Sequence, residues 1–310
     1  MSIKNFNRLN DLYFKYLLGS EQRKNLTLSF LNSILANGKP RFTDITFLNK
    51  DEEPDKYLGK LSKLDVKGKL NDGSLIDIEM QVFPYPGMAE RSLYYWSRMY
   101  GGELSEGSEY ETLKPAIVIV IVNFDALPAE KDWHNVYRVL NEKAPHKMLS
   151  NHLEIHYVEL PKLKISDVKK LKSGECWAAY LGGKYTKEDT DMLAVTDPAI
   201  IEALKAEKYF VGDDKYREFY EEREKAIKDY YSFLSAARKE GQAAGIAAGI
   251  EKGIEKGKEQ GIAEGKKEFG RQVALELLQE KMPLATVAKI SKLAIADIKK
   301  LAKENNVAIN

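Results

Sequence analysis

Apolar residues recur at helical spacing from the start of the chain. Leu9, Leu12, Tyr13, Tyr16 and Leu17 form one stripe, and after Gly19-Ser20 a second run carries Leu26, Phe30, Leu31, Ile34 and Leu35. This period predicts helices over 6–37, with Ser20 as the N-cap of the second and Gly38 and Pro40 ending it. Ile45–Leu48 reads as a short strand, followed by a polar loop over 49–60. From Lys63 to Phe83 the pattern becomes two alternating runs on either side of Asn71-Asp72-Gly73, which predicts a β-hairpin. After a break at Pro84–Gly87, an aromatic-rich amphipathic helix is expected over 88–106. Residues 116–124 form a continuous β-branched run behind Pro115, the pattern of a strand buried on both faces, and 152–160 reads as another strand. Residues 163–236 read as mostly helical, with an apolar stripe at Trp177, Ala178, Tyr180 and Leu181 and helices over 198–211 and 214–237. This order predicts an α/β fold, a mixed sheet flanked by helices.

The composition then shifts. Glycines 241, 245, 249, 253, 257, 261 and 265 recur with a period of four. Each costs a helix interior about 1 kcal/mol relative to alanine, yet the Ala, Ile, Glu, Lys and Gln between them form helices readily. Two readings follow: a helix ordered by close packing on another copy, or a loosely helical linker. The preferred one is a helical linker with a capacity for self-association. A membrane G-x-x-x-G helix is excluded because charges interrupt the run. Residues 270–281, 284–290 and 295–304 read as three short helices, the last two spaced like a helix-turn-helix pair. The expected organisation is a globular domain over 1–240, a Gly-x-x-x helical linker over 241–269 and a small all-α segment over 270–310.

Composition narrows this only in part. The chain has 310 residues, with 48 basic and 47 acidic side chains, so any nucleic-acid surface must be local. A single cysteine, Cys176, precludes an internal disulfide and fits a reducing compartment, where it is expected to be a buried small hydrophobe. The N-terminus lacks the apolar core of a signal peptide, and the longest apolar run, Ala116–Val122, is too short to span a bilayer. A cytoplasmic protein with no membrane partner is expected.

The hairpin holds the candidate chemistry. On its second strand Asp77, Glu79 and Gln81 share one face, and Ile76, Ile78, Met80 and Val82 share the other. Register decides whether the acids of the two strands meet. A two-residue Asp72-Gly73 turn would set Asp65 against Met80, on opposite faces. A three-residue Asn71-Asp72-Gly73 loop with a left-handed glycine would set Asp65 against Glu79 and Lys67 against Asp77. Only the second gathers carboxylates on one side and aliphatics on the other, so it is the expected register. Carboxylates on adjacent strands suit Mg²⁺ or Mn²⁺, which take oxygen ligands. The alternative is an edge hairpin with a solvated polar face whose lysines pair the acids. Arg91 and Arg98 lie two helical turns apart, either as solvated or salt-bridged arginines or as phosphate contacts beside a metal. Glu21 either compensates a helix dipole or lends a metal ligand.

The motifs FKYLLGSEQRKNLTLSFLNSIL, TFLNKD, LDVKGKLNDGSLIDIEMQ, ERSLYYWSRMY and YETLKPAIVIVIVNF resemble the Rpn family of recombination-promoting, transposase-like nucleases, within the PD-(D/E)XK superfamily. The resemblance covers roughly the first 240 residues, and the glycine-repeat tail is similar to that family's C-termini. It implies a PD-(D/E)XK nuclease-like sheet and Mg²⁺-dependent endonucleolytic cleavage of DNA that promotes recombination, with Mn²⁺ or Ca²⁺ as alternative ions. By position, Asp65 and Glu79 would be the metal-binding acids. Gln81 stands where the general pattern has the lysine that orients the attacking water, and Lys67 on the same face would supply the missing charge. The implied partners are DNA and a second copy, joined through the glycine-repeat helix. The rival reading is a catalytically weak or inactive nuclease fold that binds DNA and assembles through its C-terminal helices.

Overall fold

The structure, a computed structural model, describes residues 6–48, 66–84, 86–105, 107–186 and 188–309. The chain folds as two compact units, Met1–Ile227 and Lys228–Asn310.

In the first unit, α1 (Asp11–Leu18) and α2 (Lys24–Ala36) precede a six-stranded sheet. Its strands are β1 (Ile45–Phe47), β2 (Val66–Leu70), β3 (Leu75–Gln81), β4 (Ala116–Val122), β5 (His134–Tyr137) and β8 (Leu153–Glu159), in the order β1-β2-β3-β4-β8-β5. The β3–β4 and β4–β8 pairs are parallel and the others antiparallel, so the sheet is mixed. Helix α3 (Met88–Gly102) makes the β3-to-β4 crossover. Strands β6 (Leu140–Asn141) and β7 (Ala144–Met148) form a small exposed hairpin between β5 and β8. Helices α4 (Ser173–Gly182), α5 (Thr190–Thr196) and α6 (Ala199–Gly212) follow.

Strict alternation sorts the central strands onto two layers. Ile76, Ile78, Met80, Ile117, Ile119 and Ile121 pack on the helical side with Phe14, Leu17, Phe30, Trp177 and Phe210. Val118, Val120, Val122, Ile155 and Tyr157 face the other way, toward Met88, Trp96 and Met99 of α3. Buried Asp197 ties the helical layer together. Its carboxylate accepts from the hydroxyls of Ser29, Ser33 and Ser173, from Trp177 Nε1 and from the Ala199 N–H. Cys176 is buried, and burial pushes its thiol up to about 11, the behaviour of a core residue and not a nucleophile.

Some local expectations need correction. Ser20 does not cap α2. It precedes a 3₁₀ turn, Glu21–Arg23, and its hydroxyl donates to the Gln22 side chain, whereas Asn10 caps α1 by accepting from the Leu12 and Tyr13 N–H groups. The sequence pattern predicts no element over 125–151, where β5, β6 and β7 form. That stretch mixes polar and apolar residues, so pairing decides it, not periodicity. The glycine repeat interrupts nothing. Helix α7 (Asp214–Gln279) runs unbroken for 66 residues, and the helix expected over 270–281 is its last part. Its interstitial residues favour helix, and the backbone ladder needs no side chains. Two short helices complete the second unit, α8 (Leu284–Ser291) and α9 (Ile295–Glu304), around a core of Ala274, Leu278, Val287, Ile298, Leu301 and Ala302. No described helix is long and apolar enough to cross a membrane.

Candidate active site

The β2–β3 connection is the expected three-residue loop. Lys67 pairs with Asp77 and Val66 with Ile78. The Leu70 N–H donates to Ser74 O at 2.8 Å and the Gly73 N–H to Leu70 O at 2.9 Å. Gly73 sits at φ +85°, where a side chain would be strained, and Asp72 Oδ1 accepts from the Ser74 N–H at 2.9 Å. Asn71 Oδ1 accepts from the Thr43 N–H at 2.9 Å and anchors the loop from outside.

This register puts Asp77, Glu79 and Gln81 on the α3 side of the sheet, beside Val118, Val120 and Val122. The edge-hairpin alternative does not hold. β3 lies between β2 and β4, and the three polar side chains are 0 %, 4 % and 9 % exposed. Buried carboxylates need counter-charges or donors, and the neighbouring elements provide them. Lys67 Nζ lies 3.4 Å from Asp77 Oδ2. Arg91, on the first turn of α3, brings Nη2 to 3.9 Å from Glu79 Oε2, and Gln81 Nε2 donates to the same oxygen at 3.2 Å. Tyr95, one turn beyond Arg91, holds both cations: its ring centroid is 5.1 Å from Arg91 Cζ and 5.8 Å from Lys67 Nζ.

The other sequence candidates are placed less centrally. Asp65 lies outside the described residues. Glu21 is exposed on its 3₁₀ turn, 3.2 Å from Lys24 Nζ, which also reaches Asp44 at 3.2 Å. The turn is close to the start of β2, because a Cβ on Gly19 would come within 3.3 Å of Val66 Cγ2. Arg98 is exposed further along α3, so Arg91 is the member of the pair that meets an acid. Sequence reading missed Asp77 and Tyr95 as members of the site. Asp77 was legible from the alternation that placed Glu79. Tyr95 had only its i+4 spacing from Arg91 as a signal.

The donor set favours a hard cation. Glu79 offers carboxylate oxygens, and Gln81, donating through its nitrogen, keeps an amide oxygen that accepts. Among the described residues no group of three or more His, Cys, Asp or Glu side chains gathers for a metal, so a full ligand set needs an acid from beyond them.

The family described as PD-(D/E)XK nuclease family transposase matches residues 8–237. No curated protein and no solved structure matches the chain.

Proposed function

The chain belongs to the PD-(D/E)XK nuclease family transposases, and from that premise we propose that it is a metal-dependent DNA endonuclease whose breaks promote recombination in the cytoplasm. The observation that carries the reading is the buried face of β3, where Glu79 and Gln81 lie side by side with Lys67 and Arg91 against the acids of that face.

In this reading Asp65 and Glu79 hold Mg²⁺, with Mn²⁺ or Ca²⁺ as substitutes, and Glu21 lends a further oxygen. When bound, such an ion lowers the pKa of a coordinated water and offsets charge on the scissile phosphate. The chain's own groups do the rest. Gln81 orients the attacking water through its amide. Lys67 brings to the same face the positive charge that a lysine at position 81 would otherwise supply, and the Tyr95 ring keeps that ammonium and the Arg91 guanidinium in place. Arg91, next to Glu79, and Arg98, exposed on the same helix, receive phosphates of the strand. Nicking of supercoiled plasmid with Mg²⁺ tests this. Glu79→Ala and Asp65→Ala should each reduce it by at least about a hundredfold, the scale of losing a group that acts in the transition state, with little change in melting midpoint for Asp65→Ala. Cleavage that persists in both variants rejects the assignment.

One observation favours a second reading. Gln81 carries no charge, and both nearby cations already pair with acids. The protein would then be a weak or inactive nuclease fold that binds DNA and self-associates through its C-terminal helices. Calorimetric titration separates the two: no Mg²⁺ or Mn²⁺ binding, with DNA binding intact, favours the second. Self-association belongs to both readings. It is supported by Ile246, Ile250, Ile254 and Ile262, which are 50–66 % exposed beside glycines whose Cβ positions meet open space.

A further inference from the structure

We propose that the α8–turn–α9 segment of the second unit is a duplex-DNA-binding surface distinct from the nuclease site, with α9 as the helix that enters the major groove. The two short helices and their three-residue connection have the lengths of a helix-turn-helix. Eight residues of α8 and ten of α9 are joined by Lys292, Leu293 and Ala294. Lys292 ends α8 at φ +58°, and its N–H donates to Ala288 O at 3.1 Å, so α8 stops on a left-handed residue and Leu293 and Ala294 lead into α9. Ser291 Oγ donates to Val287 O at 2.7 Å and accepts from the Leu293 N–H at 3.4 Å, fixing the turn. Val287, Ile298 and Leu301 fill the space against Ala274 and Leu278 of α7. Gly270 lets the turn approach α7: a Cβ there would lie 2.6 Å from Ser291 O. Both helices therefore rest on α7 through their apolar faces.

The outer surface of α9 matches a nucleic-acid partner. With Ile298, Leu301 and Ala302 buried, the helix exposes Ala296, Lys299, Lys300 and Lys303 together with Asp297 and Glu304, and its first residue, Ile295, is 47 % exposed. From Leu284 to Glu304 five lysines stand against two acids, a net of +3. Lys300 lies 4.0 Å from Glu304, which also meets Arg271 at 3.4 Å, while Lys299 and Lys303 have no acidic partner among the described residues. These two lysines are one turn apart and repel each other, a repulsion that an external anion relieves. A second copy seated on this face by two-fold symmetry would set lysine against lysine. A phosphate backbone would not. Ala296 and Ile295 at the start of α9 are small or apolar, so the helix can reach the groove floor and meet thymine methyls while the lysines take phosphates or guanine edges.

The test uses the full-length chain in EDTA, so that cleavage is off and the result does not depend on the nuclease assignment. Fluorescence anisotropy with a labelled duplex of about 20 base pairs is followed over a salt series. The Lys299→Glu/Lys303→Glu variant should bind at least about tenfold more weakly, and the slope of log affinity against log salt should fall by about 2, one phosphate per lysine. The Lys266→Glu/Lys267→Glu control, with the same charge change on exposed α7, should lose less than about twofold. Duplex RNA of the same sequence should compete poorly, because its deep, narrow major groove does not admit a helix. The proposal is overturned by no metal-free duplex binding, by equal losses in both double variants, by full competition from duplex RNA, or by a change of assembly mass in Lys299→Glu/Lys303→Glu. A wild type that binds in EDTA but fails to nick with Mg²⁺ would reject the nuclease reading alone.

Discussion

Strand β3 and the glycine-repeat part of α7 depart from the usual partition of polar and apolar residues in opposite directions. On β3, Asp77 and Glu79 are buried. On α7, Ile246, Ile250, Ile254 and Ile262 stand in solvent. Scattered exposed apolar residues are ordinary, but buried charges are not. The buried acids already have their counterparts within the unit, in Lys67, Arg91 and Gln81. The exposed isoleucines have none in the helix that carries them, and a methyl group at any of the glycines between them would meet no atom of another element within 4 Å. Buried acids set against cations of their own unit belong to that unit's interior. A periodic apolar row with room beside it points to a partner from outside. Rows spaced four apart also suit packing of i±4 ridges between two crossing helices, where an isoleucine of one enters the glycine notch of the other.

The largest expected effect tests the exposed side of this contrast. If this row seats a second copy, light scattering should give more than a monomer's mass for the wild-type chain and a monomer's mass for Ile250→Lys/Ile254→Lys. Gly249→Ala/Gly253→Ala should raise the propensity of the isolated helix by about 1 kcal/mol per site and still weaken association, because the notches are filled. An unchanged mass in both variants would leave the isoleucines as incidental surface. The next effect tests the buried side. Lys67→Met strips Asp77 of a cation and should lower unfolding stability by about 1–3 kcal/mol in denaturant titrations. Adding Asp77→Leu should recover most of that loss, because replacing a buried pair with apolar residues is often neutral. If Lys67→Met costs nothing, the pair does not hold the buried face.

The smallest effect lies at the other edge of the sheet. There His134 Nε2 lies 2.9 Å from His156 Nδ1, and His156 Nε2 lies 3.2 Å from Glu154, which Arg138 also meets at 3.0 Å. Burial, together with His156, pushes His134 down to about 4. The unfolded chain takes that proton near pH 6.5 and the folded one resists it, so the contribution is full above about 6.5 and declines as pH falls toward 4. The melting midpoint should drop by a few degrees between pH 6.5 and 5, and His134→Gln should flatten the drop. An equal slope in the variant would assign the pH dependence to other groups.

Much of the candidate site was legible because side-chain direction alternates along a strand by covalent geometry. Once Gly73 selected the three-residue loop, Asp77, Glu79 and Gln81 had to share a face and Lys67 had to oppose Asp77. The run Ala116–Val122 likewise announced a doubly covered strand by having no polar face. Tyr95 and the burial of the polar face were not legible. Both depend on α3 returning over β3 after the break at Pro84–Gly87, and no local pattern states where a helix docks. Ser20 misled for a related reason: a good capping residue has no effect when the chain takes a 3₁₀ turn that spends its hydroxyl on Gln22.

By itself the sequence determined the identities and periods: the α/β order, the register of the hairpin, the glycine repeat and the unbroken supply of helix formers around it. These follow from local sterics and from the two side-chain periods of strand and helix. Tertiary structure alone decided that β3 lies inside a parallel run with β4 and β8, that its acids are closed under α3 with Lys67 and Arg91 turned to them, that β5 completes the sheet, and that Asp197 binds three helical segments. Those outcomes set charges and hydrogen-bond donors far apart in sequence against one another, and burial makes the energy of such interactions depend on their surroundings more than on their neighbours along the chain.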